Sequence, residues 1–366
     1  MKHIVKIAFL MLGTVMILTS CDRNRHTPDP GAQGVPISFS ALSQIPSVKA
    51  DDGTTPFSEY HEDFGVWGIA RHSFYSPYIL WETSAQTPMI KVEAVHEKDE
   101  DGKDLPTSNF VPTSGAYWVQ GYTYSFIAIA PYPSGDDAFS GLVATPDANS
   151  TAHDSFSFTI DMGKKYAPAA ENVAADFDFD LMGAAARSAE VEIASKQEPQ
   201  NLSFNHLLTK LCVKVRFNPA EGTVTGMRLV NVDTEADYKI ALNADNTTLD
   251  VIHTITSTAT QMTVDFIENH FEEDEDTDGQ IWQVATVHLL PQNIGDFELY
   301  LDFEVGGVQT NNFKVNIDAA KTSPNSPVYD DNEWYNWNLV ISPKGIAFDV
   351  EVVGWGDGGA DEFPID

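Results

Sequence analysis

Tyr122-Thr123-Tyr124-Ser125-Phe126-Ile127-Ala128-Ile129 sets a large or apolar side chain at every second position. Successive side chains of an extended segment point to opposite faces, so this spacing describes a strand with one face turned into a core. The same period recurs in Ile37-Ser38-Phe39, Phe64-Gly65-Val66-Trp67-Gly68-Ile69 and Phe156-Ser157-Phe158-Thr159-Ile160. It continues at 210–217, 227–232, 281–290, 297–305 and 313–317, and closes the chain at 334–341 and 346–353. Clusters of Pro, Gly, Asp and Ser bound these runs and act as turn signals. Amphipathic helical windows are nearly absent, and 173–189 reads as a loop feeding a short strand. Many short strands separated by turns predict an all-β protein built of β-sandwiches. The chain is long for one sandwich, and the polar stretch 188–200, with Pro199, is the expected boundary between two.

The N-terminus reads as an export signal. Lys2 and Lys6 flank a basic start, an apolar run covers 7–18, and Leu18-Thr19-Ser20-Cys21 closes it. An apolar run of about 12 residues is too short to cross a bilayer of ~30 Å as a helix, so it reads as a cleaved signal. Small residues before Cys21 form a lipobox, whose thiol accepts diacylglycerol and then begins the mature chain. Residues 22–36, with Pro28, Pro30, Gly31 and Gly34, carry no periodicity and read as a tether. The expected organisation is a signal at 1–20, a tether at 21–36, and sandwich domains at 37–200 and 201–366.

Composition narrows the function. The chain has only two cysteines, Cys21 and Cys212, so with Cys21 lipidated no disulfide holds the fold. Cys212 sits in Leu211-Cys212-Val213, where a free thiol behaves as a small core residue. Stability must come from burial, for which about 345 mature residues suffice. The formal charge is −33, and −35 once Lys2 and Lys6 leave with the signal. So acidic a surface repels phosphate backbones and excludes nucleic acid as a partner. A content of 42% hydrophobic and 11% aromatic residues excludes a disordered acidic tail.

Several blocks resemble the fimbrillin family, which builds type V pili on the surface of Bacteroidales. They are Ile37-Ser38-Phe39, Phe64-Gly65-Val66-Trp67-Gly68, Tyr122-Thr123-Tyr124-Ser125-Phe126 leading to Ala130-Pro131-Tyr132, and Asp180-Leu181-Met182-Gly183-Ala184. Leu202-Ser203-Phe204-Asn205-His206-Leu207-Leu208-Thr209-Lys210-Leu211 and the closing Val352-Val353-Gly354-Trp355 complete the set. The resemblance implies two transthyretin-like sandwiches behind a lipidated leader, on the cell surface and anchored in the outer membrane through Cys21. It further implies polymerisation with other pilus subunits by strand exchange. A protease removes the first strand, and an extended segment of the next subunit fills the groove. Polymerising members carry an arginine followed by a small residue at the processing site, whereas here Lys49-Ala50 stands in that region. Lys49 and Ala50 are therefore the candidate processing site, and Ile346, Phe348, Val350 and Val352 the candidate donor face. The alternative expectation is a non-polymerising surface lipoprotein that binds glycan or host protein.

Other chemistry is weaker. Asp274, Asp276, Asp278, Gly279 and Ile281 fit part of a calcium loop, but its twelfth position is Ala285 and its flanks read as strands, so a solvated acidic hairpin is expected. His206 is expected as a half-buried histidine with no acid at ligand spacing, hence no metal site. In Trp334-Tyr335-Asn336-Trp337, Trp334 faces away from Tyr335 and Trp337, which excludes a single sugar-stacking platform. The sequence holds no His-Glu-x-x-His, Gly-x-Ser-x-Gly or phosphate loop, so neither enzyme activity nor a cofactor is expected.

Overall fold

The structure is a computed structural model. It describes residues 35–43, 55–81, 88–146, 154–166, 175–177, 179–218, 221–242, 249–256, 261–267, 271–275, 281–292, 298–315, 333–342 and 345–354. The expected signal, Cys21, nearly all of the tether, Lys49, Ala50, Asp276, Asp278, Trp355 and 356–366 lie outside the described residues.

The first half of the chain forms β1 (Phe39–Ser43), β2 (Thr55–Pro56), β3 (Asp63–His72), β4 (Tyr75–Ile79), β5 (Ile90–Ala94), β6 (Asn109–Pro112), β7 (Thr123–Ala130), β8 (Phe139–Thr145), β9 (Ser155–Asp161), β10 (Met182–Arg187) and β11 (Gln200–His206). The second half adds β12 (Thr209–Phe217), β13 (Gly222–Asp233), β14 (Glu235–Leu242), β15 (Leu249–Ile255), β16 (Gln261–Ile267), β17 (Glu272–Glu275), β18 (Ile281–Leu289), β19 (Glu298–Val305), β20 (Val308–Val315), β21 (Glu333–Ser342) and β22 (Gly345–Gly354). The all-β expectation holds: among the described residues, helix is confined to Gly163–Tyr166 and two short 3-10 turns. No helix among them is long and apolar enough to cross a membrane.

Four sheets result. The first runs β11-β10-β7-β3-β5-β6-β1, with β2 beside β1 and β4 beside β3, and closes on itself because β1 also pairs β11. The others run β15-β14-β9-β8, β17-β18-β12-β21-β22 and β16-β13-β19-β20. Inside the closed path lie Phe39, Phe64, Val66, Phe110, Tyr124, Phe126, Met182 and Phe204. A second core joins Trp67, Ile127 and Ile129, from the outer faces of β3 and β7, to residues of the other three sheets. Strands β3 and β7 are thus buried on both faces, which is why 64–69 and 123–130 read as nearly continuous apolar runs.

Within 173–189, read as a loop feeding a short strand, Met182–Arg187 forms the buried strand β10. Phe204 packs within the first core, and from Leu207 onward the buried side chains lie in the second, to which Trp67, Ile127 and Phe158 already belong. The cores are handed over between Phe204 and Leu207, a few residues past the boundary expected at 200. The hairpin β8–β9, from before that boundary, pairs through β9 with β14, from after it.

Candidate functional site

The strand β1 has the geometry of a plug. Its residues alternate between buried and half-buried, with Phe39, Ala41 and Ser43 inward, and Ile37 just ahead of it is buried too. On one side it runs parallel to β11, Phe39 opposite Gln200 through Ser43 opposite Phe204. On the other it runs antiparallel to β6, with Phe39 opposite Phe110. Backbone bonds tie both edges: Ile37 N donates to Ala116 O and Ala41 N to Ser108 O, each at 2.8 Å, and Gln200 N donates to Ser38 O at 2.9 Å. After Ser43 the chain passes through 44–54, which contains Lys49, before resuming at β2.

The groove under β1 is lined by phenylalanines. The Phe39 ring meets Phe126 edge-on at 5.2 Å and Phe64 at 6.2 Å. Beneath them Phe57 stacks on Phe204 at 4.1 Å, and Phe64 touches Phe110 and Phe204 at about 5 Å. Full burial of such a side chain contributes about 1.5–3 kcal/mol, so Ile37 and Phe39 hold β1 more firmly than Ala41 or Ser43. Ser43 is 1% exposed, and its Oγ has no hydrogen-bond partner. A buried hydroxyl left unpaired weakens the plug at its C-terminal end.

The candidate donor occupies the opposite kind of position. Among the described residues, β22 ends its sheet and pairs with β21, from Glu333 opposite Gly354 to Ser342 opposite Gly345. It presents Ile346, Phe348, Val350 and Val352 at alternate positions of its backbone.

A polar cluster lies beside the handover between the cores. His206 is fully buried, not half-buried as expected, and its Nδ1 lies 2.8 Å from an Asp180 carboxylate oxygen. The acid comes from 26 residues earlier because the β10–β11 pairing sets Met182 opposite His206, a proximity that local spacing does not reveal. Burial pushes the Asp180 carboxyl up, but the charge and hydrogen bond of His206, with the charges of His288 and His61, outweigh it and hold the pKa below the usual carboxylate range. Burial lowers the pKa of His61, against the raising effect of Asp180. Among the described residues, no group of histidine, cysteine and carboxylate side chains is arranged to hold a metal.

The remaining sequence candidates are structural. Cys212 is buried in β12. Tyr335 and Trp337 are buried, while half-buried Trp334 lies under the Lys210 ammonium, 4.2 Å from its ring centre. Asp274 lies in β17, which pairs with β18 as an acidic hairpin, Glu275 opposite Ile281. An aromatic group around the β3–β4 turn had no counterpart among the sequence motifs. There Phe74 is 86% exposed, and the ring of His72 lies 4.8 Å from Tyr75 and 4.9 Å from Tyr122.

A family model described as fimbrillin-like matches residues 82–355, well over half of the chain. No curated protein matches it. The chain is similar to the crystal structure of a fimbrial protein from Bacteroides vulgatus at 15% identity, with a TM-score of 0.52, over 88% of this chain and 100% of that one. It is also similar to a candidate cell-adhesion protein from Bacteroides uniformis at 16% identity, with a TM-score of 0.49, over 89% of this chain and 100% of that one. The likeness in fold is read from the first of these.

Proposed function

The chain belongs to the fimbrillin-like family of fimbrial and adhesin-like cell-surface proteins, and on that premise we propose that it is a pilus subunit assembling by exchange of its first strand. The observation that carries this reading is β1. It fills an aromatic groove between β6 and β11, and only 44–54 connects it to the chain that follows. A cut after Lys49 leaves it held by non-covalent contacts alone. Its departure exposes the unpaired backbone edges of β6 and β11 and the pockets of Ile37 and Phe39, which a strand from another subunit satisfies. Successive donation is head-to-tail, and such a contact extends into a filament. In this reading lipid on Cys21 anchors the precursor in the outer membrane, and two sandwich units meet at the handover between Phe204 and Leu207. The role is structural, with other pilus subunits as partners.

The test replaces 47–50 with the recognition site of a sequence-specific protease, since lysines elsewhere in the chain would confuse digestion. The uncut protein is expected to be monomeric by size-exclusion chromatography. The cut protein should form oligomers and, by negative-stain microscopy, filaments. A verified cut that leaves only monomer overturns the reading.

One observation favours a second reading, a surface lipoprotein that binds glycan. Phe74 and Tyr75 are exposed beside His72 and Tyr122, and aromatic faces stack on sugar rings. Saturable glycan binding by the uncut monomer, lost in Phe74→Ala, would establish it.

A further inference from the structure

The inward row of β11 continues past the last residue of β1. Leu202 lies opposite Ala41 and Phe204 opposite Ser43, and the next inward side chain, His206, lies against Asp180. The apolar groove therefore ends on the polar cluster. Another member of that cluster is His61, from the turn between β2 and β3. Its ring is half-buried, its Nε2 is buried without a hydrogen-bond partner, and the carboxylate and main chain of Asp180 face it. We propose that the turn 57–61 is an acid-sensitive latch on the C-terminal end of β1, released when His61 takes up a proton. This goes beyond the strand-exchange reading, because it concerns the opening of β1 in the intact, uncut chain.

Three contacts make the turn a latch. Thr55 and Pro56, which lead into it as β2, pair with Ser43 and Leu42. The Phe57 ring stacks at 4.1 Å on Phe204, the residue opposite Ser43, and the His61 ring lies 5.6 Å from Phe57. Ser58 N donates to Thr107 O, and Thr107 N donates to Ser58 Oγ at 2.7 Å, next to the Ser108 carbonyl that holds Ala41 N. Within the turn, Tyr60 N and His61 N both donate to Phe57 O, at 2.9 and 3.0 Å. The turn thus reaches β1 through β2, and both banks of the groove through Phe204 and Thr107. It closes on the end of β1 that carries the unpaired Ser43 hydroxyl.

Proton uptake works against this closed arrangement. Burial is the largest influence on His61 and disfavours its charged form, and His206 adds repulsion; Asp180 and Asp63 act in the other direction without cancelling them. His61 therefore titrates below its ordinary value of about 6.5 while the turn is closed, and near that value once the turn opens to water. The open state binds the proton better, so acid favours it, by at most about tenfold per pH unit below 6.5. The groups that face the site are Asp180 ahead of β10, His206 in β11 with Tyr60 edge-on to it, Asp63 in β3 and, through Asp180, His288 in β18. Glu62 turns to a different partner: its carboxylate lies 2.6 Å from His96 Nε2, and His96 Nδ1 lies 2.7 Å from Leu105 O. Those two acceptors hold the His96 pKa up, so acid tightens that contact while it loosens the turn at His61. The effect of His61 is therefore read as a difference between the parent and variants at that one position.

Hydrogen exchange in the uncut protein from pH 7 to pH 5, corrected for the intrinsic pH dependence of exchange, measures the opening of each strand. Amides of β1 are expected to open more readily than those of β7. Their opening constant should rise at least about threefold, toward a ceiling of about 25-fold for one proton taken up near 6.5. The rise should be lost in His61→Phe and in His61→Gln, the second serving if the first does not keep β7 protected at pH 7. An equal rise in the parent and the His61 variants, or a rise lost only in His206→Gln, would overturn the latch. So would one opening constant shared by β1 and β7, since His61 would then act through global unfolding alone. Because the chain is uncut, a failed latch leaves the filament test of strand exchange untouched, and monomer in that test leaves the latch standing.

Discussion

Single residues set how tightly the plug is held. Because the Ser43 hydroxyl is buried without a partner, Ser43→Val is expected to stabilise the uncut protein by about 1 kcal/mol, whereas Phe39→Ala should cost about 3–5 kcal/mol. Urea unfolding of the uncut proteins measures both, and a destabilising Ser43→Val would show that the pocket has no room for the extra methyl. The cluster at the handover makes a separate prediction, about pH. His61 titrates below its ordinary value of about 6.5, so the unfolded chain takes up that proton first, and stability falls as pH drops below 6.5 toward the folded value. Asp180 also titrates low in the fold, so its contribution is present above the ordinary carboxylate value of about 3.9 and is lost as pH falls through the folded one. The charged groups facing these two are His206, His288 and Asp63. Melting temperature should therefore decline between pH 7 and 5, less steeply in His61→Phe, and decline again below about pH 4 in the parent but not in Asp180→Asn. An unchanged slope in His61→Phe would remove His61 as the cause.

At the scale of elements, strands are legible in the sequence where one face is apolar and the other polar, and hidden where that contrast is lost. The runs at 156–160, 210–217 and 334–341 reappear as β9, β12 and β21, whose cores favour alternate residues, while 64–69 and 122–129 reappear as β3 and β7, apolar nearly throughout because both faces are buried. Strand β10, Met182-Gly183-Ala184-Ala185-Ala186-Arg187, is buried against both cores, Met182 and Ala184 in the first and Ala185 in the second, so it carries no alternation to read. Edge strands such as β4 and β15 bury little and leave equally faint patterns. The plug was legible as a strand, since Ile37 and Phe39 repeat at two, but not its parallel partner β11, about 160 residues away, which only the closed path supplies. The glycine at 68 is also explained only by packing: a Cβ there would come within 2.8 Å of Leu80, 2.9 Å of Trp81 and 3.1 Å of Phe126. That close approach lets Leu80 and Trp81 fold over β3, so Gly68→Ala should destabilise by about 1–3 kcal/mol in urea unfolding. A neutral effect would mean that the Leu80–Trp81 segment is free to lift away.

For the whole molecule, charge opposes the association that the groove favours. The full sequence carries a formal charge of −33 and the chain without its signal −35, and head-to-tail assembly brings such acidic chains side by side. Repulsion between exposed charges reaches about 30 Å at 0.01 M ionic strength but only about 8 Å at 0.15 M. The groove that strand exchange refills is apolar, lined by Phe64, Phe110, Phe126 and Phe204, and burial of that kind is little screened by salt. Salt should therefore act on the rate of encounter far more than on the strength of the finished joint. Cut protein at a fixed concentration is expected to polymerise slowly at about 0.01 M salt and faster at about 0.15 M, as followed by light scattering. Filaments formed at the higher salt should persist when diluted into the lower. Slower assembly as salt rises would give the opposite sign to the encounter, an attraction between complementary charged patches. Prompt dissolution of filaments at low salt would show that the joint is not held by buried apolar side chains.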